Sequence, residues 1–196
     1  VGTGTNNRVS AMTVYNSGLY VGGTFTTAGG NTANYIAKWN GASWSTLGTG
    51  MNWNVSALDS YNGNVYTGGW FSNPASYIAK WNGTSWSALG TGMDGKVFAL
   101  AIYNGELYAG GEFSMAGGSS AQYIAKWNTS TQVWSAVGTG VGNNIYTLAV
   151  YNGELYAGGA PAPYIAKWNG TTWSSVGTGV NGSVLSFAVD TTNNIL

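Results

Sequence analysis

The chain has 196 residues, with six basic and six acidic side chains, no net charge, no histidine and no cysteine. Disulfides, thiolate chemistry, histidine metal sites and imidazole catalysis are thereby excluded, and no basic stripe exists for a nucleic-acid backbone. Only 6% of residues are charged while 14% are aromatic and 32 are glycine, a composition that builds a core and clothes its surface in Asn, Thr and Ser.

Gly-Thr-Gly recurs at 2–4, 48–50, 90–92, 138–140 and 177–179, so the chain repeats itself every 39 to 48 residues. Such a period marks a modular architecture. The repeats run over 9–54, 55–96, 97–144 and 145–183, within a single domain of 1–196. Residues 184–196 with 1–8 form parts of a fifth.

Each unit is predicted to fold as four short strands. The first (9–15, 55–61, 97–103, 145–151 and 184–190) is apolar on nearly both faces, as suits a strand between two layers. Asn62-Gly63, Asn104-Gly105 and Asn152-Gly153 follow three of them, the pair that accepts positive φ at both central positions of a type I′ hairpin turn. The second strand carries Tyr20, Tyr66, Tyr108 or Tyr156 and ends in a glycine doublet, which leaves room for a neighbouring backbone or aromatic ring. Tyr-Ile-Ala-Lys-Trp-Asn at 35–40, 77–82, 123–128 and 164–169 is the third strand, and Trp44, Trp86, Trp134 and Trp173 mark the fourth. No sustained 3.6-residue apolar period occurs, so no helix is expected. Four antiparallel strands per unit predict an all-β fold, a β-propeller of four-stranded blades with four whole repeats and a partial fifth.

The last 21 residues repeat the phase of the first 21, which leaves two readings open. The chain is a piece of a longer propeller, or an open ring whose unpaired strand edges are completed by another chain, making a homo-oligomer. The start of a second strand in the fifth unit falls at Asn194–Leu196.

The LYxGG strand (VYTGG in the second unit), the IAxW strand and the WxxLGxG close (with Val for Leu in the third and fourth units) resemble the kelch-like propeller repeats of secreted bacterial proteins and of the fungal cortical cell-polarity marker family. The resemblance implies surface recognition or adhesion and carries over no catalytic or ligand residue.

Candidate site residues are those that break the repeat. Trp53 sits in the Asn52-Trp53-Asn54 link where other units have Asp-Gly or Gly-Asn, and Trp70 follows a glycine doublet where others have Thr24, Glu112 and Ala160. An off-pattern indole on a connection suits stacking on a sugar or anchoring a partner, and it equally suits peripheral packing. Asn52, Asn54, Ser72 and Asn73 offer amides and hydroxyls beside them. The eight repeated tryptophans are expected to pack between units. Lys38, Lys80, Lys126 and Lys167 are expected to lay their stems over aromatics with the ammonium in water.

The acids are Asp59, Asp94, Glu106, Glu112, Glu154 and Asp190. Glu106 and Glu154 occupy equivalent turns of different units and are not expected to face one sugar across the ~5–9 Å that glycoside hydrolysis needs. No phosphate loop, calcium loop or nucleophile–base pair appears, so neither catalysis nor a cofactor is expected. The longest apolar run, about Val97 to Ile102, is too short to enter a membrane as a spanning helix. The expected protein is a non-catalytic extracellular or cell-surface module that binds a glycan or a surface protein through its connecting loops. A structural, self-assembling repeat is the alternative and a glycoside-acting enzyme a distant one.

Overall fold

The computed structural model describes residues 2–160, 164–190 and 196. Among them the chain is all β with no helix, and its strands form four antiparallel four-stranded sheets that follow one another along the chain, with a two-stranded ribbon in the connection of the first (Thr27–Ala28 with Asn31–Thr32) and of the third (Met115–Ala116 with Ser119–Ser120). The first sheet comprises Val9–Tyr15, Gly18–Gly23, Ile36–Trp39 and Trp44–Thr46, and the second Val55–Tyr61, Asn64–Gly69, Ile78–Trp81 and Trp86–Ala88. The third comprises Lys96–Tyr103, Glu106–Glu112, Ile124–Asn128 and Val133–Ala136, and the fourth Asn144–Tyr151, Glu154–Ala160, Ile165–Trp168 and Trp173–Ser175. In each sheet the strands lie side by side in chain order.

The hairpins form where the turn residues demand them. Asn62, Asn104 and Asn152 have φ of 45°, 49° and 48°, and the glycine after each is also positive, as a type I′ turn requires. The first unit makes the same turn with Asn16 and Ser17, at 46° and 56°. The third strand starts one residue later than the sequence pattern indicates. Tyr35, Tyr77 and Tyr123 each have φ of 65°, so the chain swings through the left-handed region before entering the ladder at Ile.

The core lies between sheets. Tyr20, Ile36, Leu47 and Met51 of the first unit pack against Val55, Val65, Phe71 and Trp81 of the second. The second meets the third, and the third the fourth, in the same way. A glycine makes each approach close enough. A Cβ on Gly110 would stand 2.6 Å from Ile145 Cγ2, and Gly22, Gly68 and Gly158 face Val55, Val97 and Val184 in turn. The second glycine of each doublet (Gly23, Gly69, Gly111 and Gly159) lies against a backbone carbonyl at the entry to its own sheet. The side chain that fills the doublet's space is therefore β-branched and not aromatic.

The tryptophans lock the other half of each interface. Two indoles pair within every sheet at centroid separations of 5.1 to 5.4 Å. The indole N–H groups of Trp86, Trp134 and Trp173 donate to Leu47, Leu89 and Val137 carbonyls of the preceding unit at 2.7, 2.8 and 3.0 Å. Gly48, Gly90 and Gly138, which open the Gly-Thr-Gly turns, sit under the next unit's Trp pair. Gly2 lies in the same way under Trp39 and Trp44, so residues 2–8 pack on the first sheet.

One expected strand is not found among the described residues. Val184 occupies the place over Gly158 that Val97 takes over Gly68, and its N–H donates to Gly159 O at 3.0 Å. Residues 184–189 nevertheless lie in no strand. A ladder needs a partner, and most of the expected second strand (194–195) lies outside the described residues.

Gly110→Ala is expected to lower stability by about 1–3 kcal/mol through overpacking against Ile145. Gly182→Ala, where a Cβ meets nothing within 4 Å, should change it by less than about 0.5 kcal/mol. Urea unfolding midpoints compare the two, and equal values would remove the glycine contact from its place in the fold.

Candidate functional site

The links that enter each sheet and the connections between its second and third strands lie at one end of the stack. There a polar side chain clasps each long connection. Asn6 Oδ1 accepts the N–H groups of Thr26 and Thr27 at 2.9 and 3.0 Å. Asn52 Oδ1 accepts those of Ser72 and Asn73 at 3.0 and 3.1 Å, and its Nδ2 donates to Ser72 Oγ at 3.1 Å. Asp94 takes the same position in the third unit, accepting from Ser114 N, Ser114 Oγ and Met115 N at 2.9, 2.6 and 2.8 Å.

The clasp on the second unit places Trp53 beside the connection that begins at Trp70. Asn52, Trp53, Trp70, Ser72, Tyr77 and Lys96 line one cleft of about 350 Å³. Trp53 is 56% exposed and Trp70 42%, in a molecule whose repeated tryptophans are buried or half-buried. Their rings are held in place. Trp53 lies 6.3 Å from Tyr35, and Lys96 Nζ stands 4.3 Å from the Trp70 ring centroid while pairing with Glu112 at 3.0 Å. Trp70 also touches Phe98, which in turn meets Tyr146 at 5.5 Å, so a row of aromatics runs from the cleft across the third and fourth sheets.

Three of the four candidate residues therefore meet at the cleft. Asn54 does not line it. Its carbonyl accepts the Trp70 N–H at 2.9 Å, its Nδ2 reaches Ser56 Oγ at 3.3 Å, and its Oδ1 is buried without a partner. Asn52 lines the cleft but spends its side chain on the clasp. Tyr77, Lys96 and Phe98 complete the site and are not evident as site residues from the repeat alone. A signal for Phe98 existed. The first strands bulge after Val9, Val55, Val97 and Ile145, and the bulged residue is Ser10, Ser56, Phe98 or Tyr146. Bulges re-aim side chains next to functional sites, and an aromatic at that position stands out against serine.

The carboxylates are tied elsewhere. Glu106 pairs with Lys126 at 2.8 Å and Glu154 with Lys167 at 2.9 Å, each within its own sheet. These two lysines are therefore ion-paired, where stems over aromatics were expected. At Lys38 it is the ammonium, not the stem, that lies over a ring, that of Tyr20 at 5.4 Å from its centroid. Burial, with the Glu106 charge added to it, pushes the Tyr108 hydroxyl up to about 12. Asp59 accepts the N–H groups of Ser60 and, across the sheet interface, Ile102 at 2.7 and 3.1 Å. Burial raises its pKa more than those bonds lower it.

No protein-family model matches the chain, and no curated protein does. Solved structures do resemble it. The computationally designed Ika4 protein is 15% identical with a TM-score of 0.59, over 86% of this chain and 94% of that one. A chain of the mitotic checkpoint complex is 16% identical with a TM-score of 0.63, over 95% of this chain and 56% of that one. The extracellular domain of a hybrid two component system from B. thetaiotaomicron is also 16% identical with a TM-score of 0.63, over 94% of this chain and 24% of that one. At these identities the likeness is of fold alone.

The Asp94 clasp has a pH signature. Burial alone would raise its pKa, but the Ser114 hydroxyl and the N–H groups of Met115 and Ser114 hold it below the ordinary 3.8. A depressed carboxylate stabilises fully above its unfolded pKa, and that share is lost as pH falls through the folded value. Between about pH 5 and pH 2 the wild type should therefore lose more stability than Asp94→Asn, whose amide clasps as Asn52 does. Parallel pH profiles of the two would show no assignable clasp charge.

Proposed function

We propose that the four sheets are consecutive blades of a β-propeller and that the protein is a non-catalytic recognition module at a cell surface or outside the cell. It takes a carbohydrate in the cleft lined by Trp53 and Trp70. The observation that carries this reading is the convergence of the two tryptophans that break the repeat. They line one cleft, both exposed, on rings already held by neighbours. Indole faces stack on the C–H faces of sugars, and a ring fixed before binding costs little ordering entropy. Ser72 and Tyr77 bring hydroxyls and Lys96 an ammonium for sugar oxygens. The blade reading is supported by four equal antiparallel sheets, each stacked on the last through the same glycine-to-β-branched contact.

A glycan array read with the wild type, Trp53→Ala and Trp70→Ala tests the site. Each substitution is expected to weaken binding at least about tenfold while the β spectrum stays unchanged. Silence of the wild type on every glycan would overturn the carbohydrate reading.

Self-assembly through the ends of the stack is a second reading, favoured by a separate observation. Met12 and Val14 of the first strand are 64% and 71% exposed, whereas Leu58 and Leu100 at the place of Met12, and Ile102 at the place of Val14, pack between sheets. Leu185 in the segment over the fourth sheet is 70% exposed. A second copy that seats its first strand on the far end of the fourth unit would bury both surfaces. Light scattering is expected to show mass rising with concentration, and Met12→Asp with Val14→Asp should abolish the rise. A monomer at the highest concentration would sink this reading.

A further inference from the structure

At the end of the sheets opposite Trp53 and Trp70, the hairpin turns enclose a second cleft, between the first and second sheets, of about 320 Å³. Tyr15, Tyr20, Lys38, Ser45 and Asn82 are among its walls. Lys38 belongs to a row present in every sheet, in which Tyr20, Tyr66, Tyr108 and Tyr156 pair across the ladder with Lys38, Lys80, Lys126 and Lys167.

The four lysines differ in the carboxylates that stand near them. The second strand opens with Glu106 in the third sheet and Glu154 in the fourth, and those carboxylates hold Lys126 and Lys167. It opens with Asn64 in the second sheet, where Asp59 stands opposite Tyr66 on the same row as Lys80. In the first sheet the opening residue is Gly18, and Thr13 takes the place of Asp59. No acidic residue precedes Asp59 in the chain, so the first sheet has no carboxylate of its own. Among the described residues neither Lys38 nor Lys80 has an ion-pair partner, but only Lys38 lies on a row without a carboxylate, and its Nζ rests 5.4 Å from the Tyr20 ring centroid. The Tyr103 hydroxyl donates to Gly153 O at 3.0 Å, but that of Tyr15 has no such partner among the described residues.

We infer that this cleft binds a small hydroxylated anion, a sugar carrying a carboxylate or a sulfate, with Lys38 as its counter-charge. An ammonium in a partly desolvated cleft attracts an oxyanion more strongly than one in bulk water, and a charge-assisted hydrogen bond outweighs a neutral one. Gly18 contributes by absence. A side chain there would crowd the Lys38 stem, and its lack leaves the cleft open where glutamate closes the equivalent positions of the third and fourth sheets. The Tyr15 hydroxyl and the Asn82 Nδ2 would meet the sugar hydroxyls, the Asn82 Oδ1 being held by the N–H groups of Thr84 and Ser85. The site shares no lining residue with the Trp53–Trp70 cleft and stands or falls apart from it.

Titration of the whole chain with methyl glucuronide, methyl glucoside 6-sulfate and neutral methyl glucoside, followed by amide chemical shifts, tests it. The shifts are expected at Asn16, Gly63 and Asn82, and at least one anionic sugar should bind about tenfold or more tighter than the neutral one. Response to the glucuronide alone, the sulfate alone or both supports the site and identifies its oxyanion. Lys38→Met should abolish the preference and Gly18→Glu should weaken it by supplying an internal carboxylate, while Lys126→Met leaves it intact. Equal binding of the neutral sugar, or a preference that survives in Lys38→Met, overturns the proposal.

Discussion

The contact on which the structure depends is a glycine without a side chain facing a β-branched residue of the next unit. Gly22, Gly68, Gly110 and Gly158 meet Val55, Val97, Ile145 and Val184 in series. A sheet bearing a side chain at that point could not come down on its neighbour. The apolar area of Leu47, Phe71, Leu89 and Phe113 would then stay wet, at about 25 cal/mol for every Å² left exposed. The contact is directional. Each unit supplies the glycine to the unit ahead and the β-branched residue to the unit behind, so the stack grows one way and its two ends are unlike. The indole N–H bonds from Trp86, Trp134 and Trp173 back to the preceding unit have the same polarity, and together the two devices fix how each sheet sits on the last.

Much of this could be read before the structure, and for identifiable reasons. The Asn-Gly pairs state their own backbone geometry, and the period follows from any one of five recurring motifs. The first unit made its turn without glycine at the second position because Ser17, after Asn16, also tolerates the left-handed region there. What escaped was anything set by contact between units. The glycine doublets announce room for a neighbour, but which neighbour is a matter of register. The start of the third strand shifted because Tyr35, Tyr77 and Tyr123 take a positive φ that no propensity for tyrosine suggests. Residues 184–189 have a strand's composition and lie where a strand belongs, yet are in no strand among the described residues, since pairing is a property of two segments and not one.

The cleft shows the same division. Trp53 and Trp70 were detectable as departures from a pattern, because a repeat exposes exceptions that a single domain would hide. Their meeting in one cleft was not, since it depends on Asn52 gathering the N–H groups of Ser72 and Asn73. Asn52 accordingly positions the indoles instead of offering its amide to a ligand. Asn54 does so from behind, through its carbonyl and the Trp70 N–H. Phe98 enters through a bulge, whose register cannot be counted without the partner strand.

Net neutrality conceals an uneven layout of charge. Three lysines, Lys96, Lys126 and Lys167, are each paired with a glutamate, all in the last two sheets. Two of the remaining acids do other work: Asp94 clasps a connection, and Asp59 accepts a part-buried N–H of the next sheet, that of Ile102. Arg8 and Lys38 stand in a stretch of 58 residues with no acid at all. A repeat copied without change would have distributed its charges evenly. Here the backbone of each unit is conserved in form while the polar positions at its hairpin end vary from Gly18 and Asn64 to Glu106 and Glu154. Variation at a position that the fold leaves free alters only the field in the adjoining cleft, so the same sheet can be reused with its chemistry changed one residue at a time.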